Sequence, residues 1–514
     1  MRKSILTYIP LILGSLLAFQ ASGQVEHQNE YEKWLKEQKK LEEAEIKSAK
    51  EKDDPSSNGD DESTQSKKIR FGFMHTKQNC SFVENGVSHK PTYCTLDDTD
   101  ASTELSGMVK NINAQLDSAL EHPTTAKVSI AYFSFSNKGV QRKVCELSKK
   151  GIRVRVFLDG GSAGTIDNGI MKNSECLDSQ GKLNVKLSYL GGQTNGNSGG
   201  IWRLHHNKFL MVDPGNGEDV KINFSSGNLS TFGTSLHLDH WVTMVAPANS
   251  NLVRAQKCVL EGLEASVKTA ETASGSLAAI DRAIAQSSIN QREKCFDEQN
   301  VFPRVSGGLI QNQIQMILAK EEIAPLFSPN NNSYVEKAFI SEISKIPSGG
   351  YLYIAIQHFL HPGVGQALIA AANRGVDVRI IMEDGVLKGE SEVPGVDRMI
   401  GNLRLKAPSL QVRFAETNHN GGKNSAMMHN KLAILNGRMT FSGAGHYTNA
   451  ALRNNWENFY FVTNKGVLQN YAKYFRQLWE QSVDAEYTTS FGKKPGKPPS
   501  PLKGAFLFFL YPAH

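Results

Sequence analysis

Two stretches of this chain are one stretch written twice. His206-Asn207-Lys208-Phe209-Leu210-Met211-Val212-Asp213 and His429-Asn430-Lys431-Leu432-Ala433-Ile434-Leu435-Asn436 each read His-x-Lys, then four apolar residues, then a short polar one. On a strand, residues i and i+2 share a face, so His206 points with Lys208, and His429 with Lys431. An imidazole beside an ammonium is a costly interior neighbour unless an anion lies between them. Two such pairs predict one site that cradles an anion such as a phosphodiester. The lysines would face its nonbridging oxygens, one imidazole would attack phosphorus, and the other would protonate the leaving oxygen. A single His-x-Lys is more often a surface pair or a satisfied one. Two copies at matched spacing make that reading improbable.

The duplication extends well upstream. Val128–Phe135 reads as a strand, Val140–Lys150 as a helix, and Gly151–Asp159 as a second strand. The pattern returns in Tyr351–Phe359, Val364–Arg374 and Gly375–Glu383. Each is a strand–helix–strand unit with a right-handed crossover, and the glycine that opens each second strand suits a helix C-terminus. Gly151 precedes His206 by 55 residues and Gly375 precedes His429 by 54. An internal repeat overrides a domain count based on length. The expected fold is α/β: two similar domains, each a mixed, mostly parallel sheet flanked by helices.

Beyond the two motifs, Ser225-Ser226-Gly227-Asn228 is followed by Asp239, and Gly443-Ala444-Gly445-His446 by Glu457. With these residues the chain resembles the phospholipase D superfamily, whose two His-x-Lys-x4-Asp motifs are each followed by a Gly-Ser-x-Asn turn and an acidic residue. The resemblance covers most of residues 70–490. His206 precedes Asn228 by 22 residues and Asp239 by 33, while His429 precedes His446 by 17 and Glu457 by 28. Both differences are five, so one insertion around Pro214–Asp219 accounts for both.

The resemblance implies that the halves meet on a pseudo-twofold axis, that one histidine becomes a phosphohistidine while the other serves as acid and base, and that no metal or cofactor is needed. It also implies that Asp239 and Glu457 orient the catalytic imidazoles. His206, Lys208, Asp213, His429 and Lys431 are then the catalytic set, with Asn228, Asp239, Asn436, His446 and Glu457 as substrate-binding or orienting residues. The second half departs more from the pattern: Asn436 stands in place of the motif Asp, Ala444 in place of the turn Ser, and His446 in place of the turn Asn. The intact first motif assigns His206 as nucleophile and His429 as general acid and base, the reverse being the alternative.

The remaining sequence bounds the setting. Arg2, Lys3, the apolar run Ile5–Phe19 and Ala21-Ser22-Gly23 make a secretory leader pattern over residues 1–23. Export to the periplasm or the medium is therefore expected. Six cysteines in such a chain suggest disulfides, with sequential pairing (80 with 94, 145 with 176, 258 with 295) the simplest arrangement. Residues 24–68 read as a charged spacer and linker. Residues 69–260 are the first domain, 261–302 linking helices, 303–490 the second domain, and 491–514 a basic, Pro-rich and then apolar tail. That tail suggests transient membrane contact, and a monomer is expected. The loop Gly191–Gly200 is expected at the site mouth, and Trp202 and Arg203 after it are either substrate contacts or, as such residues more often are, structural.

The substrate stays open at this level between a phospholipid and a nucleic-acid phosphodiester. A net charge of +6 permits either, but no Lys/Arg stripe with interleaved aromatics flanks the motifs. A third reading is a phosphate-binding protein with a decayed second half-site.

Overall fold

The computed structural model describes residues 68–76, 82–84, 87–89, 107–162, 171, 176–192, 203–235, 237–304, 310–387, 393–415, 417 and 427–484, all within one unit, Lys67–His514. The leader, most of the spacer, the loop at 193–202 with Trp202, the Cys80–Cys94 pairing and the tail lie outside the described residues.

Seventeen strands occur among the described residues. In the first half these are β1 (Arg70–His75), a small separate hairpin of β2 (Phe82–Glu84) and β3 (Val87–His89), β4 (Lys127–Tyr132), β5 (Arg153–Asp159), β6 (Val185–Leu190), β7 (Lys208–Asp213), β8 (Val220–Ser225) and β9 (His240–Ala246). The second half has β10 (Ile323–Ser328), β11 (Tyr351–Ile356), β12 (Asp377–Glu383), β13 (Gln411–Ala415), β14 (Lys431–Leu435), β15 (Met439–Gly443), β16 (Glu457–Val462) and β17 (Val483–Asp484). The first sheet runs β1-β9-β8-β7-β4-β5-β6 and the second β10-β16-β15-β14-β11-β12-β13-β17. Strand for strand the orders coincide, with β17 an added edge.

Both sheets are mixed, but their parallel share is smaller than the sequence reading expects. Parallel pairing is confined, among the described residues, to β4–β5 and β5–β6 in one sheet and to β11–β12 and β12–β13 in the other. The reason lies in the connections. A crossover helix delivers the chain parallel, whereas β7–β8 and β14–β15 are joined by short hairpins, which serve only antiparallel neighbours. The β7–β8 hairpin is also where the five-residue difference between the repeats falls.

The crossover helices follow from local sequence. Lys138–Lys149 starts at Asn137, whose side chain accepts the Val140 N–H, and is followed by Gly151 at φ +80°. Pro362–Asn373 starts with proline behind His361, whose Nδ1 accepts the Val364 N–H, and is followed by Gly375 at φ +87°. Proline fits the first helical turn because its missing N–H would be unpaired there anyway, and glycine takes positive φ without strain. Each half buries its own core: Val128, Ile130, Val144 and Val156 belong to one, Leu352, Ile354, Leu368 and Ile380 to the other.

Two long helices, Asn251–Thr272 and Leu277–Glu298, connect the halves and are joined by the Cys258–Cys295 disulfide. A boundary at residue 260 therefore falls inside the first of them. Cys145 pairs with Cys176. No described helix is long and apolar enough to cross a membrane.

Candidate active site

The site forms where β4 and β11 end. In the first sheet Tyr132, the last residue of β4, faces Lys208, the first of β7. In the second, Ile356 at the end of β11 faces Lys431 at the start of β14. Each His-x-Lys therefore sits at the carboxyl end of its crossover unit, where α/β folds place ligands.

Reciprocal main-chain bonds join the two ends. The N–H of His206 donates to Trp456 O at 2.8 Å, and the N–H of Trp456 to Leu204 O at 2.9 Å. In the other half, His429 N–H donates to Leu238 O at 3.1 Å and Leu238 N–H to Met427 O at 2.8 Å. The two pairs of bonds are equivalent under exchange of the halves, which is the pattern a pseudo-twofold axis produces.

The crossing decides which carboxylate serves which imidazole. Trp456 precedes Glu457 and Leu238 precedes Asp239, so each acid is carried to the opposite motif. His206 Nδ1 lies 2.8 Å from Glu457 Oε2, and His429 Nδ1 lies 3.2 Å from both oxygens of Asp239. With Nδ1 of each ring held by a carboxylate, Nε2 is the nitrogen that has none.

All six groups are buried, and burial governs their ionisation. It raises the Glu457 carboxyl to about 8 against the pull of Lys208, and raises Asp239 as well, Lys431 opposing. Burial, reinforced by the neighbouring lysines, holds both imidazoles well below their ordinary value. Lys208 falls to about 7 and Lys431 well below its usual range, again through desolvation. The lysines are placed differently. Lys208 Nζ donates to His206 Nε2 at 2.9 Å, whereas Lys431 Nζ donates to the His429 carbonyl.

Among the expected site residues, His446 joins the centre. Its ring lies 5.7 Å from that of His206 and 5.6 Å from that of His429, and stacks on His358 at 4.3 Å. Asn228 stands in the turn after β8, its buried Oδ1 without a protein partner. Two expected catalytic or orienting residues are not at the site, which corrects their assignment. Asp213 pairs with Lys127 at the far end of β4, accepts the Gly215 N–H at 3.1 Å, and lies 2.8 Å from Lys257 Nζ. Asn436 accepts the Tyr351 N–H at 3.2 Å through its side chain, at the start of β11. The physical reason is strand length: five residues of extended chain carry them about 16 Å beyond the lysines. Arg203 is likewise structural, held by Asp281 at 2.7 Å and donating to Asn454 O.

Several residues of the centre carry no mark in the motifs. Asp159 ends β5 and accepts the His205 N–H at 2.9 Å; Glu383 ends β12 and accepts the Met428 N–H at 2.5 Å. Each carboxylate thus holds the residue just before a motif histidine. A signal existed: both acids lie eight residues after the glycine that opens the strand. Asn455 donates to Glu457 Oε1 at 3.2 Å, while Asp239 receives its bond from Ser226 Oγ at 2.7 Å. Ala444, the counterpart of Ser226, has no hydroxyl, and Asn455 supplies the donor instead. Nothing in the sequence announces that exchange.

An α/β duplication whose two His-x-Lys ends meet in one composite centre, each imidazole backed by a carboxylate from the other half, defines the class of protein. The family described as "Cardiolipin synthase, PLD-like domain" matches residues 342–479. The mitochondrial cardiolipin hydrolase of Xenopus laevis is 28% identical over 136 residues, 26% of this chain and 58% of that protein. The human protein of the same name is 26% identical over 130 residues, 25% of this chain and 46% of its own length. The chain thus spans about half the length of these curated relatives. Among solved structures, it is similar to phosphatidylserine synthase from Haemophilus influenzae Rd KW20 (TM-score 0.45, 11% identity, 73% of this chain and 85% of that one). It is also similar to NucT from Helicobacter pylori (TM-score 0.27, 23% identity, 32% of this chain and 98% of that one). The PLD-like match over residues 342–479 and these relatives support the resemblance to the phospholipase D superfamily.

Proposed function

We propose that this protein is an exported phosphodiesterase that hydrolyses phospholipid head groups through a phosphohistidine. One observation carries the reading: two buried imidazoles, each anchored at Nδ1 by a carboxylate of the opposite repeat and each followed by a buried lysine. Such a centre sets two lysines beside two carboxylate-anchored imidazoles, an arrangement that suits a bound phosphodiester anion.

In the proposed reaction His206 Nε2 attacks phosphorus, and a P–N bond forms as the bond to the alcohol oxygen breaks. His429, protonated on both nitrogens once the phosphodiester anion is bound, gives its Nε2 proton to that oxygen. It then takes a proton from water, whose oxygen attacks phosphorus; the P–N bond breaks and its electron pair returns to His206. Lys208 and Lys431 balance charge on the nonbridging oxygens. His206 is assigned the covalent role because its carboxylate contact is the closer, 2.8 Å against 3.2 Å, and an anion behind the ring increases its basicity.

Phospholipid is favoured as substrate because the curated relatives are named for cardiolipin. Export rests on the leader pattern and the paired cysteines. The test is a panel of phosphatidyl lipids and of DNA and RNA, assayed in EDTA, with acid-labile protein phosphate mapped after quenching. Head-group release with intact nucleic acid and label on His206 supports the proposal. Nucleic-acid cleavage with intact lipid overturns the substrate. If neither is cut while phosphate ligands still bind, the enzyme reading fails and a binding protein replaces it.

A further inference from the structure

We infer that His237, Asp239 and His429 form an inhibitory site for a divalent transition metal of the Zn2+ type, set directly behind the acid–base histidine. Among the described residues, this is the cluster of histidine, cysteine and carboxylate side chains whose ligand atoms, one from each, all lie within 4.8 Å of one another. Asp239 Oδ2 stands 3.2 Å from His429 Nδ1 and 4.0 Å from His237 Nδ1. Ligand atoms around a tetrahedral Zn2+ are separated by about 3.3 Å, given metal–ligand bonds near 2.0–2.1 Å. The first separation fits that value and the second exceeds it, so binding would draw His237 toward Asp239.

A second observation points to a ligand. His237 Nδ1 is buried and makes no hydrogen bond, although it faces a fully buried carboxylate. A buried ring nitrogen with no protein partner is costly, and a ligand there would satisfy it. Two imidazoles and one carboxylate are a donor set suited to Zn2+, Co2+ or Ni2+, with a fourth position left for water or an anion.

The other half of the centre lacks this arrangement. The counterpart of His237, two residues before Glu457, is Asn455. Both ends of its amide are engaged: Nδ2 donates to Glu457 Oε1, and Oδ1 accepts the Leu204 N–H at 3.1 Å. The metal site therefore belongs to the His429 side alone.

Binding there would be inhibitory by geometry. The metal would replace the Nδ1 proton of His429 and take the oxygens of Asp239 that orient the ring. The remaining proton then stays on Nε2, so the ring has no lone pair with which to accept a proton from water. The nearby lysines oppose a cation, so binding depends on all three ligands together. Loss of any one should abolish it.

The test uses the full-length, tag-free protein stripped with EDTA, with Co2+ as the spectroscopic probe and Zn2+ as competitor. The expected result is a saturable visible absorption on adding Co2+, displaced by one equivalent of Zn2+. Phosphodiesterase activity should be lost over the same range of free Zn2+ and regained in EDTA. His237→Asn, which copies the residue used by the other half, should remove the absorption and raise the inhibitory Zn2+ concentration by about ten-fold or more, relative to the variant's own activity in EDTA. Its melting temperature is compared with that of the parent. No absorption from the parent protein overturns the inference, as does a His237→Asn variant with unchanged absorption. The inhibition arm rests on the proposed phosphodiesterase activity, whereas the Co2+ arm does not. A protein that binds Co2+ through His237 but cleaves nothing would sink the enzymatic reading and leave the metal site standing.

Discussion

By sequence the first half of this molecule carries the complete motif and the second half the altered one. By structure neither half owns a site. Glu457 of the second repeat serves His206, and Asp239 of the first serves His429. The working units are His206 with Lys208, Glu457 and Asn455, and His429 with Lys431, Asp239 and Ser226. Compared this way, the departures of the second repeat weigh differently. Ala444 removes a hydroxyl, but Asn455 supplies the bond that the hydroxyl would have made. Asn436 removes a charge at a place remote from the chemistry. His446 alone changes what the centre contains. A substitution within a duplicated motif therefore has to be weighed by where its side chain ends, not by the repeat in which it is written.

The largest effects should fall on the two histidines, and should differ in kind. His206→Asn should lower turnover about 10⁴- to 10⁶-fold, as loss of a nucleophile does, and leave no labelled protein after quenching. His429→Asn should cost about 10²- to 10⁴-fold. With a substrate whose leaving group needs no proton, it should accumulate the phosphorylated protein, because the water step still lacks its base. Label that persists in His206→Asn and vanishes in His429→Asn would reverse the two assignments.

The carboxylates come next. Glu457→Gln and Asp239→Asn should each cost about 10- to 100-fold by releasing the ring they anchor. The crossing makes a specific forecast for the trapped intermediate when the leaving group needs no proton. Glu457→Gln should then slow its formation, whereas Asp239→Asn should slow its breakdown, although each acid lies in the repeat opposite to the histidine it affects. Rapid-quench time courses separate the two. Slower formation in Asp239→Asn and slower breakdown in Glu457→Gln would mean that the acids act within their own repeats.

Much of this organisation was legible in the sequence, and the reasons are physical. Matched spacing located the strand–helix–strand units and the two His-x-Lys ends, because a strand fixes which side chains share a face. The acids Asp239 and Glu457 were found by register. The sequence did not disclose the exchange of partners. That depends on the main-chain bonds of His206 with Trp456 and of His429 with Leu238, which are contacts between distant segments with no periodicity of their own. Asp213 and Asn436 were misplaced because a motif lists residues along the chain, while the strand that carries them moves the last one to the opposite end of the sheet. Asn455 was invisible, since an Asn before a Trp has no distinguishing context.

Smaller effects concern stability. Ser226→Ala and Asn455→Ala each remove a hydrogen bond to a buried carboxylate, worth about 1.5–3 kcal/mol, and the denaturation midpoints of both should fall accordingly. Asp159 adds a pH signature. Burial raises its carboxyl from 3.8 to about 6, so the folded state holds that proton more tightly than the unfolded chain. Its contribution is fully present below pH 4 and is lost as the pH rises through 6, by at most about 3 kcal/mol. The stability of the parent relative to Asp159→Asn should therefore fall between pH 4 and 6.5. A difference independent of pH over that interval would show that Asp159 is not the buried group holding that proton.

The smallest effect is the most discriminating for the comparison of the halves. Asn436→Asp would complete the second motif, and a reading based on motifs alone forecasts a gain in activity. The structure forecasts none. The Asn436 side chain accepts the Tyr351 N–H at the start of β11, and its backbone sits at φ +52°. Asp can make the same bond and tolerates the same left-handed conformation, so turnover should stay within about two-fold and stability within about 0.5 kcal/mol. Asp213→Asn in the first repeat should be equally silent in turnover, since it loosens only the ion pair with the half-exposed Lys257 and the turn to Gly215. Steady-state kinetics of the two variants provide the check. If Asn436→Asp raised activity, or Asp213→Asn removed it, the final polar position of the motif would act on the centre along the whole length of its strand, and the two repeats would have to be ranked again as intact and impaired.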